Sequence, residues 1–394
     1  MAAAEVGLEA PSRSPLLDAA IVQGLALLVA LLVAVLAGSL IAVGYGANPL
    51  NVYGAILRFA FRDPSSVAAV LATATPLIFS ALALAVCFKA GLFNIGVEGQ
   101  YLFAMVIAAA AALWLDFLPG YLHLLAVLVA AMAGGMLFAS VPAVLKVKTG
   151  AHEVVTTIMM NGIAISFVAW ALTGPLKANL PQGTNADLRS EIFPSSALIP
   201  RIGGSFGIRE SAQFSWLFAL AIVAAAAVWV LFRRMRLGYE ARAVGASPGS
   251  ARAGGIGIGS IQIKVFLISG ALAGLVGMQQ LLVERGALVQ NYEALLGFSG
   301  IAVAFLARNN PIGIIFAAIV WSVLSRGDTA VQLDAGLPRE FVIIFQGILI
   351  LSVVIVYENA SRRLFRRQVQ RASVEGALGA GDEPPADVAR VEAF

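Results

Sequence analysis

A chain of 394 residues that is 60% apolar and only 12% charged has too little polar surface to cover a soluble globule of its size. Its mean hydropathy of +0.89 is that of a polytopic membrane protein. The formal net charge of +4 comes from Lys and Arg set between apolar runs, so topology accounts for it and nucleic-acid binding does not.

A polar leader, residues 1–20, precedes the first apolar run at 21–43. That run is longer than the roughly 7–15 residues of a signal-peptide core, which reads as a retained anchor. Further uncharged runs lie at 67–88, 98–115, 121–145, 153–174, 214–232, 262–283, 294–307, 312–325 and 340–357. The expectation is an all-α polytopic membrane protein of about ten transmembrane helices over 21–357. The runs 294–307 and 312–325 fall short of the roughly 17–25 residues a crossing helix needs, and read as half-helices or a tilted hairpin. The segment 358–394 reads as a disordered tail, with a basic cluster at 362–371 followed by the Ala, Gly, Pro, Asp and Glu of 372–394.

Most of the 26 Lys and Arg fall on one side if the N-terminus is cytoplasmic, so both termini are expected in the cytoplasm. The loop 175–213 is then external; Pro175, Pro181, Pro194 and Pro200 argue against a long helix in it. It is either a docking surface for an external partner or a plain surface loop. The loop 233–262 is then cytoplasmic. In it Ser247 as N-cap and Pro248 at the first helical position predict a short helix over 246–253. Such a helix could be gripped by another protein or lie on anionic lipid headgroups.

The polar anomaly is GLFNIGVEGQ at 91–100. Lys89 and Glu98 are the only charged residues between 67 and 115, and a charge near the bilayer centre costs roughly 2.5–3.5 kcal/mol on insertion scales. The stretch is either a turn between two helices or a break inside the membrane. Five spans in each half would set the halves in opposite orientation, as in inverted repeats, and 291–300 is a second Gly-rich, acid-bearing interruption at the matching place. Asn94, Glu98, Gln100, Asn161, Gln279 and Ser299 are the candidate solute-pathway residues. Amides and hydroxyls of this kind suit a neutral polar solute, although hydrogen bonding between helices is the commoner role. Gly270 with Gly274, and Gly134 with Gly135, suit close helix packing.

No lysine follows a glycine, so no Walker A motif is present. His152-Glu153 lacks the second His of a zinc helix because Thr156 stands there, and Cys87, His123 and His152 make no metal cluster. No catalytic role, metal or cofactor is expected.

GLFNIGVEGQ at 91–100, HEVVTTIMMN at 152–161, GIAVAFLARNNPIG at 300–313 and LGYEARAVGASPGSARAGGI at 237–256 resemble the permease subunits of bacterial ABC importers for nucleosides, within the wider ribose and branched-chain amino acid permease superfamily. His152 stands where the family often has Asn, and Ala246-Ser247-Pro248 replaces a more usual turn. The resemblance implies nucleoside translocation across the cytoplasmic (inner) membrane by a chain paired with a second permease subunit. It implies a separate ATP-binding-cassette ATPase subunit docking on Gly245, Ala246, Ser247, Arg252 and Gly254, and an external substrate-binding lipoprotein. A pentose permease is the alternative substrate reading. An ion-coupled secondary transporter would need more titratable groups at midplane than Glu98.

Overall fold

The computed structural model describes residues 15–179, 188–203, 207–338 and 340–356. Most of the expected leader (1–14), Pro181, and the expected tail with its basic cluster lie outside those residues. Residues 1–49 together with 343–394 form one compact unit, and 50–342 form another. In the first, α1 (Pro15–Gly44) buries Ala30 and Ala34 and exposes Leu32, Leu36 and Leu40 along another i, i+4 stripe.

The second unit carries α2 (Pro49–Ala60), α3 (Pro64–Lys89), α4 (Val97–Trp114), α5 (Gly120–Thr149), α6 (Glu153–Thr173) and α7 (Leu217–Arg234). It continues with α8 (Arg236–Ala246), α9 (Pro248–Ala253), α10 (Ile258–Gly274), α11 (Leu296–Leu306) and α12 (Pro311–Ala335). Among the described residues, α3, α4, α5, α6, α7 and α12 are long and apolar enough to cross a bilayer. The protein is an almost wholly helical, polytopic membrane protein.

Helix α3 is the most enclosed of these. It starts on an Asp63 N-cap, whose carboxylate accepts the Ser66 N–H at 2.8 Å, with Pro64 at the first helical position. Pro76 sits inside it without ending it. Near that ring the Thr73 and Thr75 hydroxyls donate to the Ala69 and Leu71 carbonyls one turn back.

Helices α5 and α10 pack antiparallel through glycine. Gly259 lies beside Val147, Gly270 against Gly135, and Gly274 against Ala131. A Cβ on Gly135 would collide with the Gly270 carbonyl oxygen, so the backbones touch, as the paired glycines of the sequence lead one to expect.

Two runs differ from expectation and a third agrees with it. The run 262–283 is not one helix: α10 stops at Gly274, a turn covers Leu275 to Gly277, and a π-helix forms over Gln280–Arg285. The run 294–307 yields the 11 residues of α11, a half-helix as its shortness leads one to expect. The run 312–325 belongs to the 25-residue α12, which continues through Arg326, Asp328 and Asp334, the charges that ended the apolar count. Helices α2 and α8 were not read from the sequence, being short and weakly apolar.

Gly135→Ala should lower the thermal stability of the detergent-purified protein by about 1–3 kcal/mol, the cost of overpacking a tight contact. Gly162→Ala on α6, where an added Cβ meets nothing within 4 Å, should be neutral or slightly stabilising. Equal melting of the two variants would contradict the close contact.

Candidate transport site

Helix α3 measures depth through the bundle. At its start Ser65 Oγ accepts the Arg209 N–H at 2.9 Å, from the loop that follows α6. At its other end, Lys89 to Gly91 lie on Gly245 of α8. Between these, the Ser80 hydroxyl donates to the Leu296 carbonyl at 3.0 Å, at the start of α11, while Phe305 near its end stacks on Phe88 with ring centroids 5.2 Å apart. Helix α11 therefore runs alongside α3 in the same direction and begins about 13 Å short of the Lys89 end. It is a half-helix whose N-terminus lies inside the span.

The decapeptide climbs to that point from the Lys89 end. Phe93 packs on Phe88 at 4.7 Å. Asn94 donates to Ser269 Oγ at 2.9 Å, and Ser269 donates to the Ala83 carbonyl at 2.7 Å, a turn further along α3. Glu98 then meets the start of α11. Of the two readings open at the sequence level, the geometry is that of a break within the span: α4, like α11, starts at depth.

The two interruptions are joined by the Glu98 carboxylate. Oε1 accepts the Leu295 N–H at 2.7 Å, Oε2 accepts the Gly297 N–H at 2.8 Å, and the Tyr101 hydroxyl lies 2.9 Å from Oε1 and 3.0 Å from the Glu293 carbonyl. These N–H groups are the ones a helix start leaves without partners, and the N-terminal ends of both α4 and α11 favour an anion between them. Hydrogen bonds to a charged group contribute about 1.5–3 kcal/mol each, enough together to offset the roughly 2.5–3.5 kcal/mol cost of a charge at that depth. Contact is tight: a Cβ on Gly297 would stand 2.5 Å from the Glu98 nitrogen. Leu295 adopts φ +70°, a left-handed conformation that costs a non-glycine residue about 1–2 kcal/mol.

The other candidates divide. Asn94 and Gln100 are buried and bond to each other, Nδ2 to Oε1 and Nε2 to Oδ1, both at 3.0 Å. Asn161 clamps the same segment from α6: its Oδ1 accepts the Gly99 N–H at 2.8 Å and its Nδ2 donates to the Ile95 carbonyl at 3.1 Å. Asn94, Glu98, Gln100 and Asn161 thus form one cluster around the break. Gln279 stands apart. Its Nε2 donates to the Gln213 carbonyl at 2.9 Å, within a loop whose backbone also pairs with the segment after α10 at Ser190–Leu288 and Phe193–Gly286. Ser299 is half-buried on α11. Ser80, Tyr101, Ser269 and Gly297 complete the site and were not singled out from the sequence. Tyr101 could have been, since i, i+3 places it on the Glu98 face of a helix.

At the Lys89 end, Gly245 and Ala246 close α8. Ser247 caps α9, accepting the Ser250 N–H at 3.3 Å, as expected from the sequence. Arg252 is exposed in the last turn of α9 and Gly254 follows it. A Cβ on Gly245 would stand 2.5 Å from the Lys89 carbonyl oxygen and 2.9 Å from the Gly91 nitrogen, so α8 rests on the start of the decapeptide, backbone on backbone. Gly91 itself has φ +69°, which glycine adopts without strain.

A helical bundle in which two interrupted segments enter from opposite ends and meet inside the span is the build of a membrane transporter. The chain belongs to the family of branched-chain amino acid transport system / permease components, whose profile matches residues 66–354. It is 33% identical to the guanosine ABC transporter permease NupP of Bacillus subtilis, over 84% of this chain and 92% of that one. It is 30% identical to the nucleoside ABC transporter permease NupB of Lactococcus lactis, over 84% and 90%. A glucose ABC transporter permease of Haloferax volcanii is 29% identical over 82% and 85%.

Glu98→Ala should destabilise the protein, because it strands the Leu295 and Gly297 N–H groups at about 1–3 kcal/mol each. Glu98→Gln should lie between it and the unaltered protein, since an amide accepts through only one of its two positions. Thermal unfolding in detergent checks this, and melting unchanged in Glu98→Ala would contradict the junction.

Proposed function

We propose that the chain is the transmembrane permease subunit of an ATP-binding-cassette importer that moves nucleosides across the bacterial cytoplasmic membrane. The observation that carries this reading is its likeness, over more than four fifths of its length, to permeases named for nucleosides and for guanosine. A span interior whose polar groups are mostly neutral amides and hydroxyls suits a neutral solute with many hydrogen-bonding groups. The likeness to a glucose permease supports a simple sugar as the second reading. Uptake of labelled guanosine by the reconstituted transporter, with adenosine, ribose and glucose as competitors, separates the two. Competition by nucleosides is expected, and competition by sugars alone would overturn the first reading.

The Lys89 end faces the cytoplasm in this account, since Lys89, Lys146, Lys148, Arg233, Arg234, Arg236, Arg252 and Arg308 gather there. A second permease subunit completes the pathway, an external lipoprotein delivers solute at the Pro64 end, and the ATPase subunit docks on α8 and α9 through Gly245, Ala246, Ser247, Arg252 and Gly254. Closure of the ATPase pair presses α8 onto Lys89–Gly91. The decapeptide carries the displacement to Glu98, and Glu98 carries it to the start of α11, opening the break to one side and then the other.

Gly245→Ala should leave basal ATP hydrolysis in the assembled transporter but sharply reduce its stimulation by solute-loaded binding protein. Gly257→Ala, whose Cβ would meet only Ser260 at 3.9 Å, should leave stimulation intact. Full stimulation in Gly245→Ala would contradict this route of coupling.

A further inference from the structure

Residues 293–295 and Phe298 are held deep in the bundle yet are exposed, while Leu296 and Gly297 between them are buried. The Tyr101 hydroxyl beside the Glu293 carbonyl and the Glu98 carboxylate on the Leu295 N–H fix their depth near Ser80. Even so Glu293 and Ala294 are exposed, Leu295 is 60% exposed and Phe298 is 41% exposed. Exposed apolar residues elsewhere on the bundle, such as Val155 and Met159 on α6, fit a lipid-facing surface. Here lipid does not fit, because an exposed carboxylate shares the surface, and a charge facing hydrocarbon at that depth is strongly disfavoured. A polar surface at this depth suits water, solute or the second permease subunit, and not lipid.

Aromatic rings nearby are otherwise spent on packing. Phe93 packs tilted against Phe88 and Phe305. Phe103 lies between Phe138 and Phe167 at 4.9 and 4.7 Å. Both rings therefore lie within aromatic clusters. Phe298, in the first turn of α11 and three residues after the left-handed Leu295, is exposed instead.

We propose that Phe298 and Glu293 form a solute subsite, in which the Phe298 ring stacks on the flat face of a nucleobase and the Glu293 carboxylate accepts hydrogen bonds from the sugar hydroxyls. This rests on the nucleoside reading above. Ring-on-base stacking tolerates any base, whereas the carboxylate selects for a hydroxylated sugar.

The test is guanosine uptake by the complete transporter in proteoliposomes. Phe298→Leu conserves apolar volume and should slow uptake at low guanosine about tenfold, while Phe298→Trp should retain most of it. Glu293→Gln should slow uptake of guanosine but not of 2′,3′-dideoxyguanosine, which lacks the sugar hydroxyls. Unchanged guanosine uptake in Phe298→Leu, or equal losses for both nucleosides in Glu293→Gln, overturns the subsite and leaves the nucleoside reading standing. Failure of Phe298→Leu to co-purify with its permease partner assigns the ring to that interface, and also overturns it. An unaltered transporter that moves glucose and no nucleoside overturns both.

Discussion

A carboxylate set deep in a membrane span has to be met by donors, and Glu98 is met by the backbone N–H groups at the start of a second helix. Two difficulties cancel in this junction. The N-terminus of α11, begun inside the bundle, would otherwise leave N–H groups stranded, and Glu98 would otherwise be an unmatched acid. Each element makes the other tolerable, which is why the chain can carry two interrupted segments where a simple bundle would carry none. The amide pair of Asn94 and Gln100, the Asn161 clamp and the close approach of Gly297 all serve to hold that one contact in place.

The decapeptide therefore has two ends with different duties. Gly91 lies under α8 at the face where the basic residues collect, and Glu98 lies at the start of α11. The short connection between them is pinned by side chains from α6 and α10, so it behaves as a strut. A displacement applied at Gly245 has a packed backbone path to the place where solute would pass, and interiors packed this closely transmit strain. This ties the proposed docking segment to the proposed pathway through contacts made of glycine backbone, where no side chain can yield.

Much of this architecture is legible in the sequence. Uncharged runs located α3 to α7, the Ser247-Pro248 pair located α9, and the rarity of charge singled out Glu98. The misread elements have plain causes. Leu275, Val276 and Gly277 turn the chain with apolar residues, so hydropathy carries no sign of the break after α10. Arg326 and Asp328 truncated α12 because a charge count cannot tell an enclosed helix face from a loop. The contacts of Gly245 with Gly91 and of Glu98 with Gly297 join residues far apart in the chain, and no local period reports them. Asn94 and Gln100 were read from the sequence as solute-pathway candidates, and only the fold shows that they are buried and satisfy each other.

The claim on which the account turns is that the break around 291–300 opens onto the solute pathway. With Cys87 replaced by Ala and Ala294 by Cys, the rate at which a membrane-impermeant thiol reagent labels position 294 tests it most directly, in the assembled transporter with and without ATP. The account predicts labelling from the external side that changes several-fold between the two states. A thiol unreactive from both sides, or indifferent to ATP, would contradict it.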